Sequence, residues 1–418
     1  MVLGFNNKPK DSSSNGDVSP TTNDVDGLSV HNVESGSKGQ FKEFIKTVIS
    51  FTGDLSSLTC PAFFLNGLSL LEYGQSTDPQ GKRGVWEQKE NDITQATPVV
   101  ERMLAVVRWF MSTLYGSYAS RCTNGLNEKK PYNPILGEQF KCTLGDVKCV
   151  CEQVCHHPPI SAFYLEDEKA GVSLNGHSCQ KSKFKGTSIK VDQIGRAVLY
   201  VKPFEEQYII DFPHLLIRGF LTGAAYIELG GNCSITCSNG VQTTMEFVPK
   251  PWFGGEYNHF KGSITYEGTE RYDLSGRWSH QSFYNKKGEP NSKTLLFDAE
   301  GEPMAKRVTP PEDEQQPIES HRLWGKVTAA LAVKDFATAN AEKSKIEDWQ
   351  RSVRKERADN NITWTPDLFV FNKDADAASD YDKTNLSLSQ KMPGKTQIDQ
   401  GAWTYKDSLH LRHQQQQQ

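Results

Sequence analysis

Residues 152–161 read Glu-Gln-Val-Cys-His-His-Pro-Pro-Ile-Ser, and this stretch is the most informative part of the chain. It places two neighbouring imidazoles, His156 and His157, directly before two prolines. Pro158 restricts His157 to an extended backbone, which removes conformations that anion binding would otherwise have to freeze. Because successive side chains of a regular strand point to opposite faces, both rings can touch one phosphate only if the chain twists or bulges there. The stretch therefore predicts a preformed phosphate-binding turn.

The sequence around this turn is typical of a large antiparallel sheet. From about residue 137 to 300, short β-rich runs alternate with turn residues such as Gly145-Asp146. So many consecutive strands must curl or close, and we expect a near-closed barrel whose alternating side chains line an interior cavity. The expected strands are 139–144, 147–154, 160–165, 187–201, 206–212, 224–237, 241–248, 258–267, 271–279 and 293–299.

A short amphipathic helix precedes the predicted sheet. Residues 39–51 repeat apolar side chains at helical spacing, and Gly53 follows as a stop signal. Such a helix either packs on a core or covers a cavity and touches membranes, and its pattern alone leaves both interpretations open. The apolar face consists of Phe41, Phe44, Ile45 and Val48.

Further helical patterns flank the sheet. Thr97 and Pro98 begin a longer helix that ends near Gly116, and its apolar stripe predicts a core helix. After Pro317 the helical period returns and continues to about Arg357. The sequence therefore predicts a mainly β protein with flanking helices, of the α+β class, with a helical C-terminal region.

The two ends of the chain differ in composition from its middle. Residues 1–38 are rich in Ser, Asn, Asp and Gly, and residues 372–418 finish in a run of five glutamines. Segments of this kind cannot bury enough apolar surface to offset the entropy of ordering, so we expect both to be disordered. The predicted folded unit spans residues 39–371.

Composition argues against several functional classes. A net charge of -4 without a basic stripe argues against nucleic acid as a partner. No window approaches the roughly 18 apolar residues that a membrane span requires, and the start lacks a secretory pattern, so we expect a cytoplasmic protein. Nine cysteines, an odd number, favour reduced thiols over a disulfide framework.

Cysteines beside the two histidines raise the possibility of a zinc site. Cys149, Cys151 and Cys155 have the spacing of a strand rather than of a Cys-x-x-Cys knuckle, and no second pair follows, so we expect no metal. A Gly-x-Ser-x-Gly elbow is absent, and no cysteine has an arginine six residues later. These patterns favour binding without a cofactor over catalysis, although a histidine-based phosphatase or phospholipase stays open.

The run Glu-Gln-Val-Cys-His-His-Pro-Pro resembles the fingerprint of the oxysterol-binding-protein family of lipid-exchange proteins, in which serine occupies the position of Cys155. Residues 128–138, Glu-Lys-Lys-Pro-Tyr-Asn-Pro-Ile-Leu-Gly-Glu, resemble a second family segment. The resemblance spans about residues 39–371 and is strongest to short fungal members that consist of the lipid-binding domain alone. It implies that residues 39–65 form a lid over a lipid tunnel.

The resemblance also implies a headgroup site for phosphatidylinositol 4-phosphate, built from three remote segments. From the residues alone, Lys343, Glu347 and Arg351 lie along one helical face, which could equally be a solvated face with a Glu347–Arg351 pair. By resemblance, the two cations contact phosphates and Glu347 accepts from a ring hydroxyl. The implied headgroup residues are Lys130, Asn133, His156, His157, Lys343, Glu347 and Arg351.

A second lipid is implied by a separate segment. Sterol-binding members of the family carry Gln-Tyr and then an arginine three residues after the tyrosine, and here the matching residues are Ser117, Tyr118 and Arg121. Serine is shorter than glutamine, so either an added water compensates or the second lipid has changed. We expect a sterol of the ergosterol or cholesterol type, with phosphatidylserine as the alternative.

The function implied by the resemblance is that of a monomeric, non-enzymatic carrier. It would bind phosphatidylinositol 4-phosphate and, mutually exclusively, a sterol, and exchange them between membranes that it contacts transiently. The Golgi, the endoplasmic reticulum and membrane contact sites are the expected places. A lipid sensor and a phosphoinositide-acting enzyme are the alternatives.

Overall fold

The computed structural model describes residues 38–55, 58–75, 93–96, 98–119, 129–251, 253–289, 293–301, 306–374, 377, 379–390 and 401–417. Residues 1–37, for which we predicted disorder, lie outside this described part, as do Thr97 and Arg121. The helices are α1 (Lys38–Ser50), α2 (Val99–Tyr118), α3 (Ser320–Ala332), α4 (Phe336–Asp359), α5 (Asp380–Gln390) and α6 (Leu409–Gln417). Four of them, α1 to α4, bear on the candidate site.

The strands form one large sheet and two small ones. In chain order they are β1 (Leu65–Ser69), β2 (Lys130–Tyr132), β3 (Gln139–Leu144), β4 (Val147–Cys155), β5 (Ile160–Asp167), β6 (Val172–Phe184), β7 (Ile189–Val201), β8 (Glu206–Ile210), β9 (His214–Arg218), β10 (Tyr226–Cys237), β11 (Gln242–Val248), β12 (His259–Tyr266), β13 (Thr269–Arg277), β14 (Gln281–Lys286), β15 (Thr294–Asp298), β16 (Arg307–Val308), β17 (Phe369–Lys373) and β18 (Gly401–Tyr405).

The large sheet contains 14 strands, β3 to β16, and confirms the mainly β fold with flanking helices. Its strands pair in the order β15-β14-β13-β12-β11-β10-β8-β7-β6-β5-β4-β3-β16, with β9 between β7 and β10. Neighbours are antiparallel, as the tight turns predicted. The outer strands β15 and β16 are not paired with each other within the described residues, so the barrel is curled rather than closed by hydrogen bonds.

The sequence pattern did not predict β1, β2, β6, β9, β14, β16 or β18. Strand β6 is rich in Ser, Asn, Gln and Lys, so it lacks the apolar alternation by which the other strands were found. It nevertheless pairs over its whole length with β7. Pairing with long neighbours, rather than its own composition, therefore makes this segment a strand.

Helix α2 runs inside the curled sheet, as predicted for a core helix. Its buried side chains, including Met103, Trp109 and Phe110, pack in one cluster with residues of β3, β4 and β7 to β15. At its N-terminal end, Arg102 pairs with the buried carboxylate of Glu206 at the start of β8. The helix therefore fills the end of the barrel at which β7 ends and β8 begins.

Helix α1 covers the other end of the barrel. Phe41, Ile45 and Val48 are buried against Leu55 and Phe220, and the apolar face of this helix is the predicted one. The helix therefore packs on the body of the protein in this conformation.

The prediction that residues 372–418 are disordered is wrong for residues 380–390, which form α5, and for residues 401–417. Strand β18 pairs with β17. The side-chain amide of Asn175 on β6 also binds β18 through two hydrogen bonds: it donates to the Trp403 carbonyl at 2.7 Å and accepts from the Tyr405 backbone amide at 2.9 Å. Helix α6 follows, and its first amide donates to the Tyr164 hydroxyl. Contacts with side chains more than 200 residues away order this segment, and local composition does not reveal them.

Two findings concern the described residues as a whole. None of their helices combines the length and the apolar character needed to cross a membrane. Each of the eight cysteines among them is a free thiol, and seven are buried.

Candidate functional site

A largely apolar cavity of about 480 Å³ lies between helix α1, the C-terminal half of α2 and the inner face of the sheet. Its size falls within the usual range for a bound small molecule, about 300–1,000 Å³. The apolar lining comes from α1 (Phe44, Ile45 and Val48), from α2 (Trp109 and Phe110) and from strand residues such as Leu174, Val191 and Ile217. Lys130 and Asn133 line the same cavity, so polar groups from the predicted headgroup segment stand at its edge.

The two histidines occupy the turn between β4 and β5. The irregularity was predicted at residues 156 and 157, and the pairing of these strands shifts register just before them, between Gln153 and Cys155. The rings of His156 and His157 lie side by side, with centroids 4.5 Å apart and planes inclined by 62°. Gln153 fixes the base of the turn, because its amide donates to the Cys155 carbonyl at 2.9 Å.

The histidine turn is joined to the loop that follows Lys130. The amide of Gly137 donates to the Gln153 carbonyl, and the amide of Gln153 donates to the Glu138 carbonyl, each at 2.9 Å. Two of the three remote segments are therefore hydrogen-bonded to each other. The histidine turn cannot move unless the loop that follows Lys130, which we call the lysine loop, moves with it.

A buried carboxylate holds the lysine loop on helix α3. Glu138 accepts hydrogen bonds from Ser320 Oγ at 2.7 Å, from Trp324 Nε1 at 3.0 Å and from the amide of Ile135 at 3.1 Å. Burial raises the pKa of this carboxyl, and its hydrogen bonds oppose that shift. The indole of Trp324 also stacks on Tyr132, with ring centroids 4.5 Å apart. This framework fixes the loop, and the sequence reasoning missed it.

Glu152 plays a similar part behind the histidine turn. Its fully buried carboxylate accepts from the amides of Asp367 and Leu368, each at 2.8 Å. Burial raises the pKa of this carboxyl as well. Both carboxylates belong to the motifs quoted above, but only the fold shows that their partners come from distant parts of the chain.

Helix α4 contributes the third segment. Lys343 is buried and forms an ion pair with Glu347, whereas the exposed Arg351 pairs with Asp348 at 2.6 Å. The Glu347–Arg351 pair that the spacing allowed is therefore not formed. Lys343 and Glu347 face the protein, and Arg351 lies at the edge of that face.

The charges of the three segments act on one another. Burial lowers the pKa of Lys130, and Lys343 lowers it further, whereas Glu347 raises it. Lys130 is exposed to solvent, and it also lines the cavity. Burial also lowers the pKa of His156, and His157 lowers it further, whereas Glu347 raises it. We call these five residues, Lys130, His156, His157, Lys343 and Glu347, the mouth cluster.

Arg354 is a neighbour of the mouth cluster that sequence reasoning missed. Positions 343, 347 and 350 are buried or half-buried on α4, and position 354 continues the same helical face after a further spacing of four residues. The charge of Arg354 lowers the pKa of His156. Arg354 is exposed and makes no ion pair with any other described residue. A uniform spacing of four residues after Lys343 and Glu347 had indicated Arg351 instead of Arg354.

The polar groups predicted for the second lipid lie farther along the cavity wall. Tyr118 donates its hydroxyl hydrogen to Gln193 Oε1 at 2.9 Å, and Gln193 Nε2 donates to the Pro213 carbonyl at 2.7 Å. Ser117 also lines the cavity, whereas Arg121 lies outside the described residues. We call Tyr118 and Gln193 the inner pair. Gln193, on β7, was not among the predicted site residues.

The segment after α1 is attached to the body at two points. Asp54 accepts from the backbone amide of Ser182 at 2.9 Å, and the amide of Ala62 donates to Asn340 Oδ1 on α4 at 3.1 Å. Cys60 lies between these points, and burial raises the pKa of its thiol to about 11. The predicted lid residue Phe44 is half-buried and packs on Phe64 with centroids 5.0 Å apart.

Comparison with known proteins gives one family match and several fold matches. The sequence profile described as "Oxysterol-binding protein" matches residues 43–392. Protein KES1 of Mycosarcoma maydis is 38% identical over 331 residues, which cover 76% of this chain and 84% of the relative.

Two solved structures share the fold. A crystal structure of the Osh1 ORD domain in complex with ergosterol is 21% identical, with a TM-score of 0.64 and coverage of 88% of both chains. The Osh3 ORD of Saccharomyces cerevisiae in complex with PI(4)P is 19% identical, with a TM-score of 0.60 and coverage of 93% of this chain and 95% of that one. At such identities the likeness concerns the fold alone.

Proposed function

Because the chain belongs to the oxysterol-binding protein family, we propose that it binds phosphatidylinositol 4-phosphate and, mutually exclusively, a sterol, and exchanges the two lipids between membranes. The family and the solved structures with the same fold are lipid-binding and lipid-transfer proteins rather than enzymes. The observation that carries the proposal is the apolar cavity under α1, whose lining includes Lys130 of the mouth cluster.

The charge of the mouth cluster suits a phosphate monoester. Such a group carries about -1.5 to -2 charges at neutral pH. Lys130 and Lys343 of the cluster, together with the exposed Arg351 on the same helix as Lys343, can balance this charge, and the two imidazoles supply oriented donors. Asn133 adds an amide beside Lys130. The same site offers less to unphosphorylated phosphatidylinositol, so we expect it to select the monoester.

The cavity and its cover suit an acyl or sterol body. Each buried methylene is worth about 0.8 kcal/mol, so a lipid in water loses much of this free energy unless its apolar part is enclosed. Helix α1 supplies the cover, and its attachment through Asp54 is a polar contact that can open without unfolding the barrel. Residues 39–65 would therefore act as the lid.

The inner pair and Ser117 are the polar groups available to the second lipid. A sterol hydroxyl could reach them through water, as a bridging water is nearly as favourable as a direct hydrogen bond. Osh1 in complex with ergosterol has the same fold, which supports a sterol as the second cargo. Phosphatidylserine is the competing cargo, since Ser117 stands where sterol-binding relatives carry glutamine.

We place the protein in the cytoplasm as a monomer that contacts membranes of the Golgi, the endoplasmic reticulum or their contact sites transiently. Its net charge of -4 opposes permanent adsorption on anionic surfaces. A carrier needs this property, because it must leave each membrane with its cargo.

Lipid analysis by mass spectrometry tests the proposal directly. The purified protein is incubated with vesicles that contain phosphatidylinositol 4-phosphate, sterol and phosphatidylserine, then separated from them, and its bound lipid is identified. We expect unaltered phosphatidylinositol 4-phosphate or sterol at no more than one lipid per protein, and transfer of each to acceptor vesicles. Released phosphate or a cleaved lipid would indicate an enzyme, and tight loading without transfer would indicate a sensor. Either result contradicts the proposal.

A further inference from the structure

The two strands that flank the histidine turn are covered on the side away from the cavity. Cys151 of β4 and Phe163 of β5 line the cavity. Because side chains alternate along a strand, Glu152, Val154 and Tyr164 lie on the opposite, outer face. Val154 and Tyr164 are buried there in one cluster with residues that follow much later in the chain, namely Leu368, Phe369, Trp403 and Tyr405. The strands that carry the turn are therefore packed against the C-terminal region.

Two peptide units of that region connect a carboxylate with an ammonium. The amides of Asp367 and Leu368 donate to Glu152, one to each carboxylate oxygen, at 2.8 Å. The carbonyls of the same two peptide units belong to Pro366 and Asp367, and both accept from Lys406 Nζ, at 2.9 and 2.8 Å. Since the amide and the carbonyl of a trans peptide point in opposite directions, Glu152 and Lys406 hold the two units from opposite sides.

This arrangement strengthens each of its hydrogen bonds. The negative Glu152 lies at the amide ends of the two peptide units and the positive Lys406 at their carbonyl ends, so both charges polarise the peptides in the same sense. Hydrogen bonds to charged groups are also roughly twice as strong as those between neutral groups. Glu152 is fully buried, so it depends on these amides more than an exposed carboxylate would.

Lys406 is itself held on a fixed element. Its backbone amide donates to the Leu368 carbonyl at 3.0 Å. The preceding ring of Tyr405 stacks on Tyr164 of β5, with centroids 4.7 Å apart and planes inclined by 20°. Asn175 of β6 holds β18 by the two hydrogen bonds given above. The side chain of Lys406 therefore starts from a backbone that is attached to the same sheet as the histidine turn.

We propose that Lys406 is a positioning residue for the mouth cluster: through two peptide units it fixes Glu152, and through Glu152 the strand that leads into the histidine turn. Lys406 itself is exposed and is not among the described residues that line the cavity. The inference rests on the proposed function, because it concerns how tightly the same site binds a phosphoinositide headgroup. A turn that is less well fixed has more conformational freedom to lose on binding, so its affinity falls.

Extraction of two lipids by three variants tests this role. Lys406→Met removes the ammonium and keeps the apolar stem, Lys406→Arg keeps the charge, and Lys261→Met removes an exposed ion pair with Glu246 elsewhere on the sheet. We expect Lys406→Met to lower extraction of phosphatidylinositol 4-phosphate from liposomes about fivefold, and the other two to leave it within about twofold. Sterol uptake should stay within about twofold for all three, because a general loss of stability would affect both lipids alike.

A second variant approaches the same element from the other side. Asn175→Leu removes both side-chain hydrogen bonds from β6 to β18 and leaves Lys406 in place. We expect the same selective loss for phosphatidylinositol 4-phosphate, about threefold, since β18 then holds Lys406 less firmly. A loss of sterol uptake by both Asn175→Leu and Lys406→Met, equal to their loss of the phosphoinositide, would make β18 an element of general stability and overturn the positioning role.

A measurement without any lipid reports on the turn directly. In NMR spectra of the ligand-free protein, the ring signals of His156 and His157 should shift in Lys406→Met and return in Lys406→Arg. Unmoved ring signals overturn the positioning role, and so does equal extraction of phosphatidylinositol 4-phosphate by Lys406→Met and the unaltered protein. An unaltered protein that extracts no phosphatidylinositol 4-phosphate contradicts the proposed function instead, so the two failures are distinct.

Discussion

The inner pair lines the cavity, which the mouth cluster joins through Lys130, and the two regions are built in different ways. The groups of the mouth cluster come from three remote segments, and the two buried carboxylates Glu138 and Glu152 hold the backbone around them. The inner pair consists of Tyr118 and Gln193, which bind each other, with one further hydrogen bond to the Pro213 carbonyl.

This difference predicts two kinds of recognition. A ligand at the mouth cluster meets donors that are already fixed, so little ordering has to accompany binding. A ligand at the inner pair must compete with the existing hydrogen bond from Tyr118 to Gln193 or bind through water. Headgroup recognition should therefore be strong and hard to change, whereas recognition of the second lipid should be weaker and easily altered.

Removing both imidazoles gives the largest expected effect. Hydrogen bonds to charged groups contribute about 1.5–3 kcal/mol each, so His156→Ala with His157→Ala should lower phosphatidylinositol 4-phosphate extraction from liposomes roughly a hundredfold or more. Sterol uptake by the same variant should stay largely intact, which makes it the internal control. Equal loss of both lipids would remove the distinction between the two regions.

Removing the framework of the mouth should destabilise the fold. Glu138→Ala leaves the Trp324 indole, the Ser69 hydroxyl and the Ile135 amide buried without their acceptor, which should cost about 3 kcal/mol of unfolding free energy in urea denaturation. Glu246→Ala is the control, because its exposed pair with Lys261 should contribute less than about 1 kcal/mol. A loss no greater than that of the control would show that the mouth is not held by Glu138.

Changing the inner pair should have a smaller effect on one lipid only. Tyr118→Phe removes the hydroxyl that a sterol would reach through water and should weaken sterol binding about threefold to tenfold, since a net hydrogen bond is worth about 0.5–1.5 kcal/mol. Extraction of phosphatidylinositol 4-phosphate should not change, and both are measured in titrations with labelled lipid. A weaker phosphoinositide response instead would mean that the headgroup reaches the inner pair.

The smallest expected effect comes from restoring the family's glutamine. Ser117→Gln replaces a water-mediated contact by a direct one and should raise sterol affinity about twofold to threefold. The readout is competition between sterol and phosphatidylserine for the same protein. A shift towards phosphatidylserine would contradict a sterol as second cargo.

Local signals in the sequence predicted much of the fold around these regions. Proline after His157 and the two-residue period of strands predicted an irregular turn at residues 156 and 157, and the strands shift register just before it, between Gln153 and Cys155. The apolar stripe of residues 39–51 predicted helix α1 and its buried face. In each case the controlling interactions are between residues close together in the chain.

Features that depend on distant partners were not predictable in this way. Strand β6 is polar and becomes a strand by pairing with β5 and β7, and β18 is ordered by Asn175. The roles of Glu138 and Glu152 depend on donors from α3 and from residues 367–368. The spacing of four residues could not show which arginine of α4 lies nearest the mouth cluster. Because a helix has 3.6 residues per turn, a small rotation about its axis decides between Arg351 and Arg354.

Helix α2 occupies the end of the barrel opposite the lid, where Arg102 and Glu206 form a buried ion pair. For a carrier built in this way, the incoming lipid cannot push the outgoing lipid through the molecule. The first lipid must leave through the opening under the lid before the next lipid enters. No complex with both lipids therefore forms. We therefore expect double-displacement kinetics, in which donor and acceptor concentrations give parallel lines in double-reciprocal plots.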